Sequence, residues 1–523
     1  MQSSNEICER TMAATPVSRP TSTPPTTTST TRPSTSSKPG YVVIGGGIAG
    51  VTCVEHLSLL SPDIPITLVT ASPLVKAVTN FRQISKVIEH FSVEEKHASN
   101  LQSSVRGLSI VHAMVSGIDA AKQVITIDDG ESIPYSKLCI CSGGQPDIIC
   151  KDNPNVLGIR DTETVKSFQK KLAAANRVAV IGNGGIATEL VYEIQGSTVI
   201  WAIRDKSISH TFVDAGAAEF FLPHLKSEKE SVAGPSKRMI YAVSDADNID
   251  STKGSSSGGA LGPDWSNGVS MQGGGSGHHP VYVEYECEVQ RILTAEEYAQ
   301  LGQAANILAC DTMSQSWPVY ILLTNGKLYG CDLIVSATGV NPNVAPFTKG
   351  PMPLTIAPDG GISVDDHMRT NLEHVYAAGD VCSASWQPAE QWFQMRLWSQ
   401  ARQMGAYAAK CMIADTSGQV IHQDFCFELF AHMTTFFGFK VVLLGKFNGQ
   451  GLDKKDYEAL VRVTLGVEYI KVILKDGKMY GAILIGDTDL EETFENLILN
   501  KTDLTRYGED LLNPGVDIED YFD

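Results

Sequence analysis

The chain has 523 residues, 43% of them hydrophobic, which is enough for roughly three domains with sizeable cores. Acidic residues outnumber basic ones, 59 to 41, and the net charge of −18 argues against nucleic acid as a direct partner, because phosphate binding needs clustered Lys and Arg. The 11 cysteines show no CxxC and no zinc-type spacing, which points to a reducing compartment, and no apolar run reaches the ~18 residues of a membrane span.

Residues 1–39 read as a disordered Ser-, Thr- and Pro-rich tail, with its scattered Arg leaving a transit peptide open. Order is expected from Tyr41. YVVIGGGIAGVTCVEHL reads as strand, tight turn and helix. Gly45, Gly47 and Gly50 form a GxGxxG. The first glycine makes the turn, the second lets a pyrophosphate approach the backbone, and the third lets helix pack on strand. Free N–H groups and the helix dipole then face the anion. ITLVT at 66–70 is the next strand, and it ends in Thr70-Ala71-Ser72 where a ribose-binding carboxylate is usual. The Thr70 hydroxyl is the substitute, at roughly 0.5–1.5 kcal/mol against about 1.5–3 for a charged bond.

SPLVKAVTNF follows at 72–81 without a cysteine; after Cys53 the next is Cys139. QVITIDDGESIPYSKLCICSGG at 123–144 reads as strand, turn, strand and glycine break, with Cys139 and Cys141 on one face of a buried strand as core residues. The pattern then restarts. RVAVIGNGGIATELVYEI at 177–194 carries Gly182, Gly184 and Ala187, and STVIWAIRD at 197–205 is the following strand. Its ribose position falls near Ile203-Arg204, where no acid is read; Arg204 either pairs a 2′-phosphate or is a solvated surface side chain.

Residues 226–280 have flexible-linker composition, and ALGPDW at 260–265 inside them is either a pin to the body or a docking anchor. VYILLTNGKLYGCDLIVSATG at 319–339 is a hairpin and a buried strand, and HVYAAGDVC at 374–382 is another strand ending in Gly-Asp. Beyond Phe425 come a hairpin with Asp476-Gly477 at its tip and an amphipathic helix, DLEETFENLIL, which Asp487 or Thr488 can cap. The segment 508–523 is acidic with interleaved apolar residues, a tail that docks in cis or on a partner.

The fold class expected is α/β, with two tandem Rossmann-like domains and a C-terminal α/β domain. The boundaries are 40–160 and 346–424 for the first nucleotide domain, 161–345 for the second with its insertion, and 425–523 for the last.

SATGVNPN and YAAGD, added to the two glycine turns, resemble the flavoproteins with two dinucleotide-binding domains. That resemblance implies FAD on the first fold and NAD(P)H on the second. It implies that Asp380 bonds the ribityl chain, although a helix N-cap is the competing role, and that Val115, Ser142 and Gly143 join the FAD set. It also implies a pair beside the flavin ring, Glu189 with Lys76, or with Lys86 in the lysine's place. TASPLVKAVTNF, LGIRDT, IGNGGIATELVYEIQG, QMRLWSQARQMG, FGFKVVLLGKFN and GDTDLEETFENLILN extend the likeness to a branch of the pyridine nucleotide-disulphide oxidoreductase family that lacks the redox cysteine pair. This implies NAD(P)H oxidation, a nuclear and cytoplasmic home, and protection of a tRNA ligase complex from oxidative inactivation. A redox-state-sensing binding protein with little turnover is the alternative.

Overall fold

The computed structural model describes residues 39–226, 265, 269–275, 280–301, 316–349 and 352–515. The expected N-terminal tail, most of the 226–280 insertion and the end of the acidic tail lie outside the described residues.

The strand Tyr41–Ile44 is buried at all four positions and lies between Ile66–Thr70 and Lys137–Ile140, parallel to both. Leu108–His112 and Val375–Ala377 complete a five-stranded sheet. A parallel sheet covered on both faces needs apolar side chains at successive positions, which is why YVVI shows no alternation. The strand from 375 shows that the first nucleotide domain is discontinuous. The second sheet repeats the arrangement around Arg177–Ile181, in the order 156–158, 333–336, 177–181, 198–202 and 281–284, all parallel. Val156–Gly158 already belongs to this second sheet, so the domain boundary expected at residue 160 falls before residue 156. Three residues, the last of them glycine, make too short an apolar run to read as a strand.

The insertion also departs from its composition. Met271 is buried, and the backbone N–H groups of Gly273, Gly274 and Gly275 donate to the carbonyls of Gln195, Ala175 and Gly196. Gln272 bridges Gln195 in parallel. The glycines are needed there because a Cβ on Gly273 would lie 1.8 Å from Ser197 Oγ. This stretch is packed backbone rather than linker.

The C-terminal sheet is five-stranded and antiparallel, and Asp476 and Gly477 at its hairpin tip have φ of 51° and 71°, the left-handed pair a two-residue turn requires. Its helix, Glu491–Leu499, starts at Leu490 with no side-chain cap, and Thr488 Oγ1 instead donates to Glu491 Oε1 at 3.1 Å. The expected cap at Asp487 or Thr488 is thus wrong, because the chain enters the helix later than DLEE suggests. Glu495 on this helix is fully buried and accepts from the backbone of Lys86 at 2.8 Å and Val87 at 3.1 Å, and from the Ser85 hydroxyl. These groups form the tip of the hairpin Leu74–Gln83 and Glu89–His97, which contains most of SPLVKAVTNF. The opening domain and the C-terminal domain meet here, through this carboxylate and through Val87 and Ile88, which join the C-terminal core.

Candidate functional site

The two glycine turns are built alike. Gly45 has φ +111°, and a Cβ on it would meet Cys141 O at 2.2 Å. Gly182 has φ +127°, and a Cβ on it would meet Ala337 O at 2.1 Å. In each domain the turn presses on the loop after a neighbouring strand, and only glycine allows both the left-handed backbone and the approach. Gly50 must also lack a side chain, since its Cβ would lie 1.9 Å from Gly45 O, while Ala187 fits its fully buried place. The helix Ile48–Leu60 begins at Gly47 and the helix Gly185–Glu193 begins at Gly184, neither with a side-chain cap. Nothing lies within 4 Å of a Cβ built on Gly184. Each helix thus leaves its first N–H groups for an anion.

Around the first turn, Ser142 Oγ donates to Asn343 O at 2.9 Å, Asn343 Nδ2 donates to Ser142 O at 3.0 Å, and Asn343 N donates to Gly143 O at 2.9 Å. SATGVNPN thereby clasps the CSGG turn. Thr70 is buried, and its hydroxyl is used inside its own loop, donating to Ser72 O at 3.0 Å. Val115 opens the strand Val115–Asp119 half-buried against the first core.

Asp380 follows its strand without capping a helix, because Cys382–Ala384 continues as another strand. That removes the N-cap role. Burial pushes the Asp380 carboxyl up against the opposing pull of Arg396 and Arg160. Arg396 Nε donates to the Asp380 carbonyl at 2.9 Å, whereas no hydrogen bond reaches the carboxylate among the described residues. Arg160 Nε and Asp161 Oδ2 are buried without a partner, while Asp161 Oδ1 caps the helix Thr162–Leu172 by accepting from the Thr164 N–H at 2.8 Å. Buried polar atoms are nearly always paired. Unspent groups of both charges beside an uncapped helix fit the ribityl and pyrophosphate parts of FAD. Arg160 and Asp161 were within reach of the sequence reading, in LGIRDT, but were given no role there.

The Lys76–Glu189 pair does not form. Lys76 is buried and its Nζ donates to Glu95 Oε1 at 2.5 Å, the residue directly opposite on the hairpin. Its backbone N–H donates to Gly46 O at 2.9 Å, so this lysine still sits against the first glycine turn. Lys86 reaches Asn496 Oδ1 at 3.0 Å at the surface. Glu189 instead accepts from the indole N–H of Trp265, the last residue of ALGPDW. Desolvation pushes its carboxyl up to about 8.

At the second turn a carboxylate is present after all. Asn183 Nδ2 donates to Asp205 Oδ2 at 2.9 Å, while Arg204 is exposed. The charge held against this turn is negative and lies one residue past Arg204.

Cys53, Cys139, Cys141 and Cys382 are all buried behind the first turn, and the sulfurs of Cys139 and Cys141 are 3.5 Å apart. The hydrogen bond to Cys139 raises the Cys141 thiol, the bonds of Cys53 to Cys139 and of Cys139 to Cys141 pull the other way on Cys53 and Cys139, and burial helps raise all four thiols, Cys382 included. A thiol held neutral is a poor nucleophile.

Residues 39–229 and 304–405 match the family model described as pyridine nucleotide-disulphide oxidoreductase, and residues 432–502 match the rubredoxin NAD+ reductase C-terminal domain. The chain is 52% identical over 491 residues to the rat pyridine nucleotide-disulfide oxidoreductase domain-containing protein 1, covering 92% of this chain and 98% of the relative. In solved structures it resembles the ferredoxin reductase for the CYP199A2 system of Rhodopseudomonas palustris, with TM-score 0.62, 16% identity and coverage of 92% and 99%. It also resembles the water-forming NADH oxidase of Lactobacillus brevis, with TM-score 0.60, 16% identity and coverage of 89% and 92%. These two likenesses concern the fold.

Proposed function

The chain belongs to the pyridine nucleotide-disulphide oxidoreductase family, whose cofactors are FAD and NAD(P)H, and from that premise we propose an FAD-dependent NAD(P)H oxidoreductase that works without a dithiol relay. Bound flavin supplies the acceptor for hydride and the outlet for electrons. The chain supplies position. The turn at Gly45, Gly47 and Gly50 receives the FAD pyrophosphate, with Val115, Ser142, Gly143 and Asp380 placing the rest; the buried Thr70 hydroxyl shapes the loop below. The turn at Gly182, Gly184 and Ala187 receives the nicotinamide nucleotide.

The observation that carries this reading is the state of the cysteines. Thiol–disulfide exchange needs an attacking thiolate, and the cysteines behind the first turn are buried, with their thiols raised. SPLVKAVTNF, where a dithiol would serve, is a strand of Val75, Lys76 and Ala77 packed under Gly46. Electrons therefore go to oxygen, a quinone or another diffusible acceptor.

The biological role in this reading is protection of a tRNA ligase complex from oxidative inactivation, in nucleus and cytoplasm, with no direct nucleic-acid contact and no membrane. Its support is the sequence resemblance and the charge of −18, which suits binding a protein rather than RNA. No helix among the described residues is long and apolar enough to cross a membrane. A second reading, a redox-state-sensing partner protein with little turnover, draws on the same sealed thiols. Steady NAD(P)H consumption with an added acceptor separates the two: continued turnover supports the enzyme, and a single reduction followed by tight ligase binding supports the sensor.

A further inference from the structure

The strand Glu458–Thr464 is the last in the order of the C-terminal sheet. It pairs with Glu468–Lys475 on one side, and among the described residues no strand pairs with its other edge. Val461 and Val463 on it are 49% and 45% exposed, and Leu465 and Val467 in the turn beyond are 86% and 61% exposed. An open edge of unpaired N–H and C=O groups is ordinarily blunted by Lys, Pro or a bulge. None of these stands in EALVRVT. Its one cation, Arg462, is turned to the other face, where Nη1 donates to Leu512 O at 3.0 Å and Nη2 to Glu468 Oε2 at 3.3 Å. Leu511 and Leu512 are buried in the C-terminal core, which Leu460 of the edge strand also joins. The chain is thus anchored at this edge just before it leaves the described residues. Gly515 N–H donates to Asn513 Oδ1 at 3.0 Å, a turn that carries the chain out beside the strand.

We propose that residues 516–523, VDIEDYFD, dock in cis along this open edge as a sixth strand, antiparallel to Glu458–Thr464. Length allows it. Residues 513–515 reach the Thr464 end, which lies about 7 Å past Arg462. The eight residues that follow span about 26 Å, against about 23 Å for the seven of the edge strand. Alternation then puts Val516, Ile518 and Phe522 on the face of Val461 and Val463, and Asp517 and Glu519 on the face of Arg462. Charge agrees with the direction. The segment carries four acids and no Lys or Arg, and its far end arrives beside Lys454 and Lys455, both exposed just ahead of the strand. A segment tethered at its own docking place has an effective concentration on the order of millimolar, which favours it over a second copy of the chain. Docking closes the edge against pairing with other chains.

The test is amide hydrogen exchange on the FAD-loaded full-length protein, on a truncation after Gly515, and on full-length Ile518→Asp, which keeps the chain and spoils the apolar face. Exchange across residues 458–464 should be about tenfold faster in both variants than in wild type. Exchange across the inner strand Phe439–Gly445 should not change. A synthetic peptide of residues 513–523, added in excess to the truncated protein, should restore the slow exchange. Equal exchange across 458–464 in all three proteins overturns the proposal and leaves the segment free for a partner. Faster exchange that extends equally to Phe439–Gly445 overturns it too, because the segment would then support the whole sheet rather than cover one edge. Protection that appears only as the mass doubles in light scattering assigns the edge to a second copy and overturns docking in cis.

Discussion

A Cβ on Gly45 would lie 2.2 Å from the carbonyl oxygen of Cys141, and the second domain repeats this contact between Gly182 and Ala337 at 2.1 Å. Both glycines have positive φ, so even alanine is strained there beyond the clash. Gly45→Ala should purify without yellow colour. Gly182→Ala should stay yellow but resist bleaching by NADH or NADPH. Absorbance spectra before and after nucleotide addition check both, and equal FAD loss in the two variants would mean the turns do not divide the cofactors between them.

Glu495 accepts from two backbone N–H groups and one hydroxyl at the hairpin tip, the Ser85 and Val87 bonds buried and the Lys86 bond partly so. Glu495→Ala leaves those donors without a partner, at about 1–3 kcal/mol for each unsatisfied group. The expected loss is on the order of 3 kcal/mol in urea unfolding, accompanied by faster proteolysis within residues 83–90. A loss under about 0.5 kcal/mol, the scale of an ordinary surface change, would show that the hairpin is held by apolar contacts alone.

His432 is buried with Nδ1 3.0 Å from Ser399 Oγ and Nε2 unpartnered, and burial pulls its pKa down to about 3. Its folded pKa lies below the unfolded value near 6.5. The neutral imidazole therefore contributes stability that is present above pH 6.5 and lost as pH falls from there toward 3. The limit is about 1.4 kcal/mol per pH unit. Denaturation midpoints at pH 7.5 and 5.0 should separate more in wild type than in His432→Gln. Equal separations would mean that His432 does not govern acid lability.

The parts of the fold visible in the sequence were those fixed by local rules. Glycine turns, unbroken apolar strands and an Asp-Gly hairpin tip each impose a backbone that few residues can make. What was missed depended on tertiary partners. Lys76 pairs with Glu95 because an antiparallel register sets them opposite, and Glu189 takes Trp265 from a segment 76 residues away. Met271–Gly275 looked like linker because three glycines carry no pattern, yet their bareness is what lets the backbone pack. Asp205 lies one residue beyond the ribose position that the spacing marks, and the Asn183 bond is what returns it to the turn. In the site the glycine sets were found directly, whereas Arg160 needed the unpaired nitrogen to be noticed.

Replacing Cys139, Cys141 or Cys382 by Ser, one at a time, should leave NAD(P)H oxidation in air within about twofold of wild type where FAD is retained, since small buried thiols act here as packing. Oxygen consumption per bound flavin is the measurement. A variant that keeps FAD but loses activity would identify a sulfur with a redox part.

The central claim, hydride from NAD(P)H to FAD with no thiol outlet, is tested most directly by anaerobic stopped-flow reduction followed by mixing with separate acceptors. The account predicts that NADH or NADPH bleaches the flavin absorbance, that oxygen or a quinone restores it, and that glutathione disulfide, lipoamide and oxidised thioredoxin do not. Rapid restoration by a disulfide, abolished by replacing one of the buried cysteines, would contradict it.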